Sequence, residues 1–478
     1  MPVNTLHPDV KEYLPIWKQI EDFFDGEIAV KKAGVKYLPR LSGQSNVKYE
    51  AYKKRAIFYS AISRTCYALV GAVYRKPPAI LLPEKLEYLR KDATGTGVSL
   101  VELAISLSVE LMKNGRAGVL VDRPEEGGLP YITLYDADDI LNWDKTPGNE
   151  FIVLEEETLV RSQKDRFSVE EKEGYRELTF DADGNYIVNI WMAKEKSNEH
   201  EIVSTIQPTK NGKPIQYMPF CVVSPTGLDF DIDKPPVLDM VHVLEKHYQL
   251  SADYANALHT ICTPTPYIIG LTPDDGFQLN LGADSAIILP DVGSKVGFLE
   301  FTGQGIKSVE DGLVKLEGML GALGARMVEA TGAKTLIETA EGARTREAVA
   351  TAILGSIIAS VEAALEKCLI WAADWENVDT SGIKIKLNRE LVSSTLDANM
   401  VSALLNAVNA GKLSFESFYA ALEEAGMTDA GVSADAEKER IKNNPKAPIK
   451  VVAQNTPPTN LPTTDTKNAL SMPTTNPV

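Results

Sequence analysis

The chain has 478 residues, of which 44% are hydrophobic, and its formal net charge is −17 with a pI near 4.9. This length and hydrophobic content predict a folded protein of roughly two to four structural units. The acidic balance excludes a protein that holds nucleic acid on a broad basic face, because phosphate binding requires clustered Lys and Arg. The acidic balance does not exclude an acidic channel through which DNA moves without binding tightly to the wall.

The sequence predicts neither a targeting segment nor a membrane span. The N-terminal residues MPVNTLHPDVKEYLP lack the basic start and apolar core of a signal peptide. The uncharged run from Ala348 to Val361 covers about fourteen residues, fewer than the ~20 that a bilayer requires. We therefore expect the protein to be made and kept in a cytoplasm-like compartment. The four cysteines are far apart and form no CxxC pair, which predicts buried thiols and neither disulfides nor a zinc site: Cys66, Cys221, Cys262 and Cys368.

The first half of the chain predicts helices followed by a sheet. Helices are expected over residues 8–32, 47–75 and 100–113, where apolar residues recur at helical spacing. Strands rich in β-branched and aromatic residues are expected at 118–122, 131–135, 151–160, 175–180, 186–193 and 220–223. Short polar links between them favour an antiparallel or mixed sheet.

The second half alternates helices with short strands. A helix is predicted at 237–260, short strands at 266–271, 286–290 and 296–301, and a second helix at 307–328. Gly318, Gly321 and Gly324 in the second helix indicate that another helix backbone approaches closely.

A polar loop, AKTLIETAEGAR, then leads into a long helix that Thr345 is expected to cap. One face of this helix carries Val349, Ile353, Ile357, Val361, Leu365 and Leu369. Residues 390–444 are expected to be helical, and residues 445–478 are rich in Pro, Thr and Asn and are expected to be flexible. The fold class is α+β.

No catalytic motif is present in the sequence. Residues 303–308 lack the Gly-Lys-Ser core of a phosphate-binding loop, and no GxSxG occurs. His200-Glu201 lacks the second histidine of HExxH, and His242 and His247 are off the spacing that aligns two ligands on a helix. We therefore predict no catalytic residue, no metal site, no cofactor and no enzymatic activity.

Five sequence segments resemble those of bacteriophage portal proteins. They are YLPRL (37–41) ahead of YEAYKKRAIF (49–58), LVGAVYRKPP (69–78), NGRAGVLVDRP (114–124) and TAEGARTREAVATAILGSI (339–357). The order of helix, small β insertion, helix, loop and long helix adds to the resemblance, which spans roughly residues 35–375.

The resemblance implies a portal-type fold. Residues 1–234 would form the wing, 235–262 and 306–330 the two stem helices, and 263–305 the clip between them. Residues 331–344 would be the tunnel loop. Residues 345–389 would be the spine helix of the wing with the strand that follows it. Residues 390–444 would be the crown and 445–478 the tail.

The resemblance also implies a function. In this family a homo-oligomeric ring, which we expect to be a dodecamer for this chain, surrounds a channel for double-stranded DNA at one capsid vertex. Expected partners are further copies of the chain, non-specifically held DNA, the terminase large subunit, the major capsid protein, scaffolding protein and a head–tail adaptor, with no membrane. The protein is expected in the virion, and in the host cytoplasm during assembly.

A few basic residues are the candidates for transient contact with DNA phosphates. They are Lys334 in the tunnel loop, Lys307 and Lys315 on the second stem helix, and Arg326 at its end. For each of them the alternative interpretation is ordinary surface solvation or pairing between subunits. Two other functions remain open at this point: a different ring component of a virion, such as a connector or baseplate protein, and an α+β enzyme whose site is not recognised.

Overall fold

Helices and antiparallel strands alternate along the chain in the computed structural model. It describes residues 2–124, 127–161, 167, 169–194, 199–262, 265–270, 293, 295–299, 305–324, 340–389, 398–424, 428 and 433–443. The chain divides into two units, Met1–Leu391 and Val392–Val478.

Four helices open the first unit: α1 (Pro8–Asp25), α2 (Glu27–Ala33), α3 (Asn46–Arg55) and α4 (Ile62–Val73). The two long helices expected here are therefore each divided. Gly26 has a φ of 91°, a left-handed conformation that a glycine adopts without strain, and it separates α1 from α2. Residues 56–61 separate α3 from α4 because the chain there turns inward and buries Ala56, Phe58 and Ala61.

The next helix, α5 (Leu100–Asn114), agrees with the prediction for residues 100–113. Ser99 and Glu102 form a capping box at its start, in which each side chain accepts a hydrogen bond from the other residue's backbone N–H. Gly115 ends it with a φ of 69°, and a β-carbon at this position would lie 3.1 Å from the backbone of Asp233 and Pro235. The close approach ties the end of α5 to the segment before the next helix.

The sheets of the first unit are antiparallel in every described pair. The strands are β1 (Ala79–Leu81), β2 (Ala117–Asp122), β3 (Tyr131–Tyr135), β4 (Ile140–Asp144), β5 (Phe151–Arg161), β6 (Val169–Phe180), β7 (Tyr186–Ala193), β8 (His200–Ile206), β9 (Thr209–Lys210), β10 (Lys213–Pro214) and β11 (Phe220–Val223). Their order is β11-β2-β3 in one sheet and β4-β5-β6-β7-β8 in a second, with β9 and β10 pairing separately. The six predicted strands are present, whereas β1, β4, β8, β9 and β10 have no counterpart among them.

A pair of long helices follows the sheets: α6 (Leu238–Ile261) and α7 (Ile306–Ala322). Between them lie two paired antiparallel strands, β12 (Thr265–Ile269) and β13 (Lys295–Leu299). The strand expected at 286–290 lies outside the described residues.

The longest helix, α8 (Ala340–Trp375), packs against α5, β2, β11 and the last strand, β14 (Lys384–Lys386), which pairs with β1. The predicted apolar stripe is buried at Ile357, Val361, Leu365 and Leu369, but Ile353 is 41% exposed.

The helix begins five residues before Thr345, so residues 340–344 of the expected tunnel loop are helical. Their alanines, glutamate and arginine are good helix formers, and Gly342 alone does not end a helix. Residues 331–339 and the side chain of Val349 lie outside the described part.

The described residues of the second unit form three helices within the range predicted to be helical: α9 (Ala398–Asn409), α10 (Phe415–Glu424) and α11 (Ala434–Asn443). Phe415 stacks on Tyr419 within α10, and Lys438 of α11 forms an ion pair with Glu416. The tail from residue 445 lies outside the described residues.

The cysteine prediction is partly wrong. Cys66, Cys221 and Cys368 are free and buried, but Cys262 is free and exposed at the end of α6. Cys262 is exposed because the last turns of α6 have left the core. Among the described residues, no helix is long and apolar enough to cross a membrane.

Candidate functional site

The α6–α7 pair lies at the centre of the segment on which the resemblance places the channel. α6 starts inside the core, where Val241, Leu244, Tyr248 and Ala252 are buried. From residue 253 onward its described residues are partly or fully exposed, and α7 is buried only at its opposite end, at Leu320 and Gly321. The far end of the pair therefore leaves the hydrophobic core.

Contacts between the two helices show that they run antiparallel. His247 of α6 lies 3.4 Å from Glu317 of α7, between Nε2 and Oε1, and Leu250 lies against Gly312. A β-carbon at Gly312 would be 3.0 Å from Leu250 Cδ2, so a larger residue here would require the Leu250 side chain to shift.

The close approach to α6 is thus seen at Gly312 and not at the predicted Gly318. A β-carbon at Gly318 would meet no described atom within 4 Å. Gly324 has a φ of 121° and follows the last turn of α7.

His247 is a buried histidine at the base of the pair. Its ring lies 5.5 Å from the ring of Tyr59, and its Nδ1 has no hydrogen-bond partner among the described residues. Burial lowers the pKa of His247 below its ordinary value, and Glu317 opposes that shift as hydrogen-bond partner and negative charge. The side chain therefore stays neutral over more of the acidic range than a solvated histidine.

Two of the four predicted DNA-contact residues lie on α7. Lys307 and Lys315 are both exposed, and neither forms an ion pair within the described part of the chain. Eight residues separate them, which places them about 80° apart around the helix and about 12 Å apart along it. Lys334 and Arg326 lie outside the described residues.

α7 also carries exposed carboxylates, at Glu310, Asp311 and Glu317. Its surface therefore alternates in sign. A helix with this pattern offers phosphates a few separate cations and does not form a continuous basic track.

A basic region near α6 was not singled out from the sequence. Eleven of the 49 Lys and Arg residues lie within 31–76, together with one of the 66 Asp and Glu residues, Glu50. This region is strongly basic, whereas the whole chain has a net charge of −17, and this difference in charge identifies the region from the sequence. Its α3 helix packs on α6, where Tyr52 donates to Asp253 and Arg55 donates to Asn256.

The described residues provide no arrangement typical of a metal centre. No group of three or more His, Cys, Asp or Glu side chains is placed to hold an ion in this part of the chain. His200 is buried edge-on against Tyr175, with 5.0 Å between the ring centroids. Asp233 accepts hydrogen bonds from Thr226, and Asp181 accepts from the backbone of Asp183 and Asn185 in the turn between β6 and β7. These side chains therefore have structural partners.

One family model matches part of the chain. Residues 236–376, which include α6, α7 and α8, match a family described as "Domain of unknown function (DUF4055)". No curated protein matches the sequence.

Several solved structures are similar to the chain. A chain in the virion of a native gene transfer agent particle has a TM-score of 0.41 and 15% identity, over 84% of this chain and 99% of that one. A chain from the neck of the native particle, computed with C12 symmetry, has a TM-score of 0.40 and 14% identity, over 80% and 93%. An HK97-family phage portal protein from Corynebacterium diphtheriae has a TM-score of 0.28 and 15% identity, over 73% and 94%. A phage portal protein is therefore among the solved structures to which this chain is similar.

Proposed function

We propose that the protein is the subunit of a phage portal: a homo-oligomeric, non-enzymatic ring at one capsid vertex. The ring would provide the channel through which double-stranded DNA is packaged and ejected. Two observations support this proposal. The first is the resemblance of several segments to portal proteins, at 37–58, 69–78, 114–124 and 339–357. The second is the helix pair between the sheets and α8.

Exposed apolar side chains on the α6–α7 pair are the observation on which the ring proposal depends. Val314 is 53% exposed, Met319 46%, Leu323 43% and Leu258 37%, all on or next to two helices that leave the core. Burial of such side chains is worth about 25 cal/mol per Å² of apolar surface. A repeated contact between copies would remove them from water, which gives a physical reason for the ring.

In this proposal α6 and α7 are the stem, residues 263–305 would be the clip, and the tunnel loop ahead of α8 would face the channel. The acidic chain lowers the affinity of the wall for DNA, since most of the wall repels phosphate. Lys307, Lys315, Arg326 and Lys334 would make the few transient phosphate contacts.

The partners follow from the same proposal. The clip would dock the terminase large subunit during packaging and the head–tail adaptor afterwards. The outer surface of the wing would contact the major capsid protein, with scaffolding protein present during assembly in the host cytoplasm. The mature protein would reside in the virion as a ring of twelve.

Light scattering and negative-stain electron microscopy of the purified chain test the ring. We expect a species of about twelve times the 52.2 kDa subunit mass, with a central hole as wide as a DNA duplex. Monodisperse monomers at high protein concentration would contradict the proposal. Rings that support capsid assembly but are dispensable for DNA filling would favour a different ring component of the virion.

A further inference from the structure

A groove of about 500 Å³ lies between the chain around α3 and the last turns of α6. One side of the groove is lined by Leu41, Val47, Lys48 and Arg55, and the other side is lined by Asn256 and His259. Val47 is 81% exposed and Leu41 42%, so the groove presents apolar surface to solvent. The hydrogen bond from Arg55 Nη2 to Asn256 Oδ1, at 2.9 Å, joins the two sides.

The groove is also cationic. Lys48 and Arg55 belong to the basic region 31–76, and neither forms an ion pair among the described residues. The Arg55 Nε is buried and donates no hydrogen bond to any described group. An occupant that supplies a carboxylate beside apolar surface would satisfy both features.

α7 has the complementary chemistry. Glu310 and Asp311 are exposed and form no ion pair within the described residues, and Val314 lies on the next turn, 53% exposed. Carboxylates three and four residues from an apolar side chain lie on neighbouring positions of one helix surface.

The groove and α7 lie on opposite sides of α6. His247 contacts α7, whereas Gln249 donates to the Tyr37 carbonyl on the side of the basic region. Two residues along an α-helix correspond to a rotation of about 200°. A single copy therefore cannot place its own α7 in its groove, but a neighbouring copy can.

We propose that the groove receives α7 of a second copy of this chain, with Val314 on Leu41 and Val47, and with Glu310 and Asp311 facing Lys48 and Arg55. The contact joins different surfaces of the two copies, which is the head-to-tail interface that closes a ring. The charge pairing sets its orientation and register. The inference rests on the proposed ring and assigns the residues that hold it together.

Charge reversal with rescue tests the pairing. We expect Lys48→Glu and Glu310→Lys each to raise the protein concentration needed for half-assembly by about tenfold or more, because each places like charges together. The double variant should return it to within about threefold of wild type. Lys91→Glu reverses another exposed lysine outside the groove and should leave assembly unchanged. Light scattering over a dilution series provides the measurement.

Disulfide trapping tests the geometry without relying on charge. In a Cys262→Ser background, Val47→Cys combined with Val314→Cys should yield covalent multimers on mild oxidation of the assembled protein, and either cysteine alone should not.

The outcomes separate this inference from the proposed function. Wild-type protein that never assembles would contradict the ring itself. Wild-type rings with unaffected single reversals, or single reversals that the double variant does not rescue, would overturn the groove pairing and leave the ring standing. Rescue together with trapped multimers supports the pairing.

Discussion

Nε2 of His247 and Oε1 of Glu317 lie 3.4 Å apart, and this contact joins α6 to α7 where the pair leaves the core. The histidine is buried, whereas the glutamate side chain is 49% exposed. The charged state of the pair therefore depends on how strongly Glu317 compensates for the desolvation of the imidazolium. The ring of Tyr59 also lies against the imidazole, with 5.5 Å between the ring centroids.

His247 should make the helix pair less stable in acid. Because burial lowers its pKa in the folded protein, the unfolded chain binds a proton first as the pH falls. Stability from this residue is thus present above the unfolded pKa of about 6.5 and is lost as the pH falls below it.

His247→Gln removes this linkage. Between pH 7.5 and 5.5 the urea midpoint of the variant should fall less than that of wild type. Glu317→Gln is the matched control, since it removes the compensating charge and should make the acid sensitivity of the wild-type histidine larger. Equal pH dependence of wild type and His247→Gln would contradict the assigned role.

The sequence predicts the parts of the fold that local chemistry determines. The helix predicted at 100–113 is α5, and the structure shows that a hydroxyl cap at Ser99 and a left-handed glycine at Gly115 set its ends within a few residues. The buried stripe from Ile357 to Leu369 likewise follows from helical periodicity alone. Residues 56–61 were not predicted to interrupt a helix, since the helical pattern continues through them and only tertiary packing draws Phe58 inward.

The site was less predictable than the fold. His247 and Glu317 are 70 residues apart in sequence, and no local pattern pairs them. The same is true of Arg55 and Asn256, which are 201 residues apart. The excess of basic residues within 31–76 is visible in the sequence, but its position beside α6 is not. The strands β4 and β8 were not predicted because each mixes polar and apolar residues without clear alternation.

Two glycines of α7 should respond in opposite directions to larger side chains. Gly312→Val forces branched carbons into Leu250, so we expect a loss of about 1 to 3 kcal/mol in the free energy of unfolding. Gly318→Ala meets no described atom within 4 Å and should add about 0.5 to 1 kcal/mol through helix propensity.

Urea unfolding of dilute, unassembled protein measures both changes in the free energy of unfolding. A destabilised Gly318→Ala variant would mean that this position is covered in the single chain. A neutral Gly312→Val variant would mean that the α6–α7 approach is loose.

Asp139 should produce a pH dependence of the opposite sign to that of His247. Burial, together with the nearby carboxylates of Asp138, Asp136 and Glu155, raises its pKa to about 7. The folded state then holds a proton that the unfolded chain has released, so the stability contribution is full below about pH 3.9 and is lost as the pH rises towards 7.

Asp139→Asn mimics the protonated side chain. Relative to wild type it should gain about 1 to 3 kcal/mol in the free energy of unfolding between pH 5 and pH 8. Asp144→Asn serves as the control, because hydrogen bonds from Thr146 lower the pKa of that exposed carboxylate and the sign reverses. A pH profile of Asp139→Asn parallel to that of wild type would show that Asp139 is already ionised at pH 5.

Lys334 is the sharpest test of DNA contact, because the resemblance places it in the tunnel loop. Lys334→Ala should leave ring assembly intact and change DNA packaging or retention, since under the proposed function every subunit would lose one phosphate contact in the channel. The retained DNA should also become less sensitive to added salt, as fewer counterions are displaced by each ring. Packaged genome length and leakage of DNA from filled capsids, compared over a salt series, provide the readout.

Lys315→Ala is the matched variant on α7, where the lysine is exposed and unpaired among the described residues. If Lys334→Ala leaves both packaged length and leakage unchanged while Lys315→Ala alters them, the helix and not the loop touches the DNA.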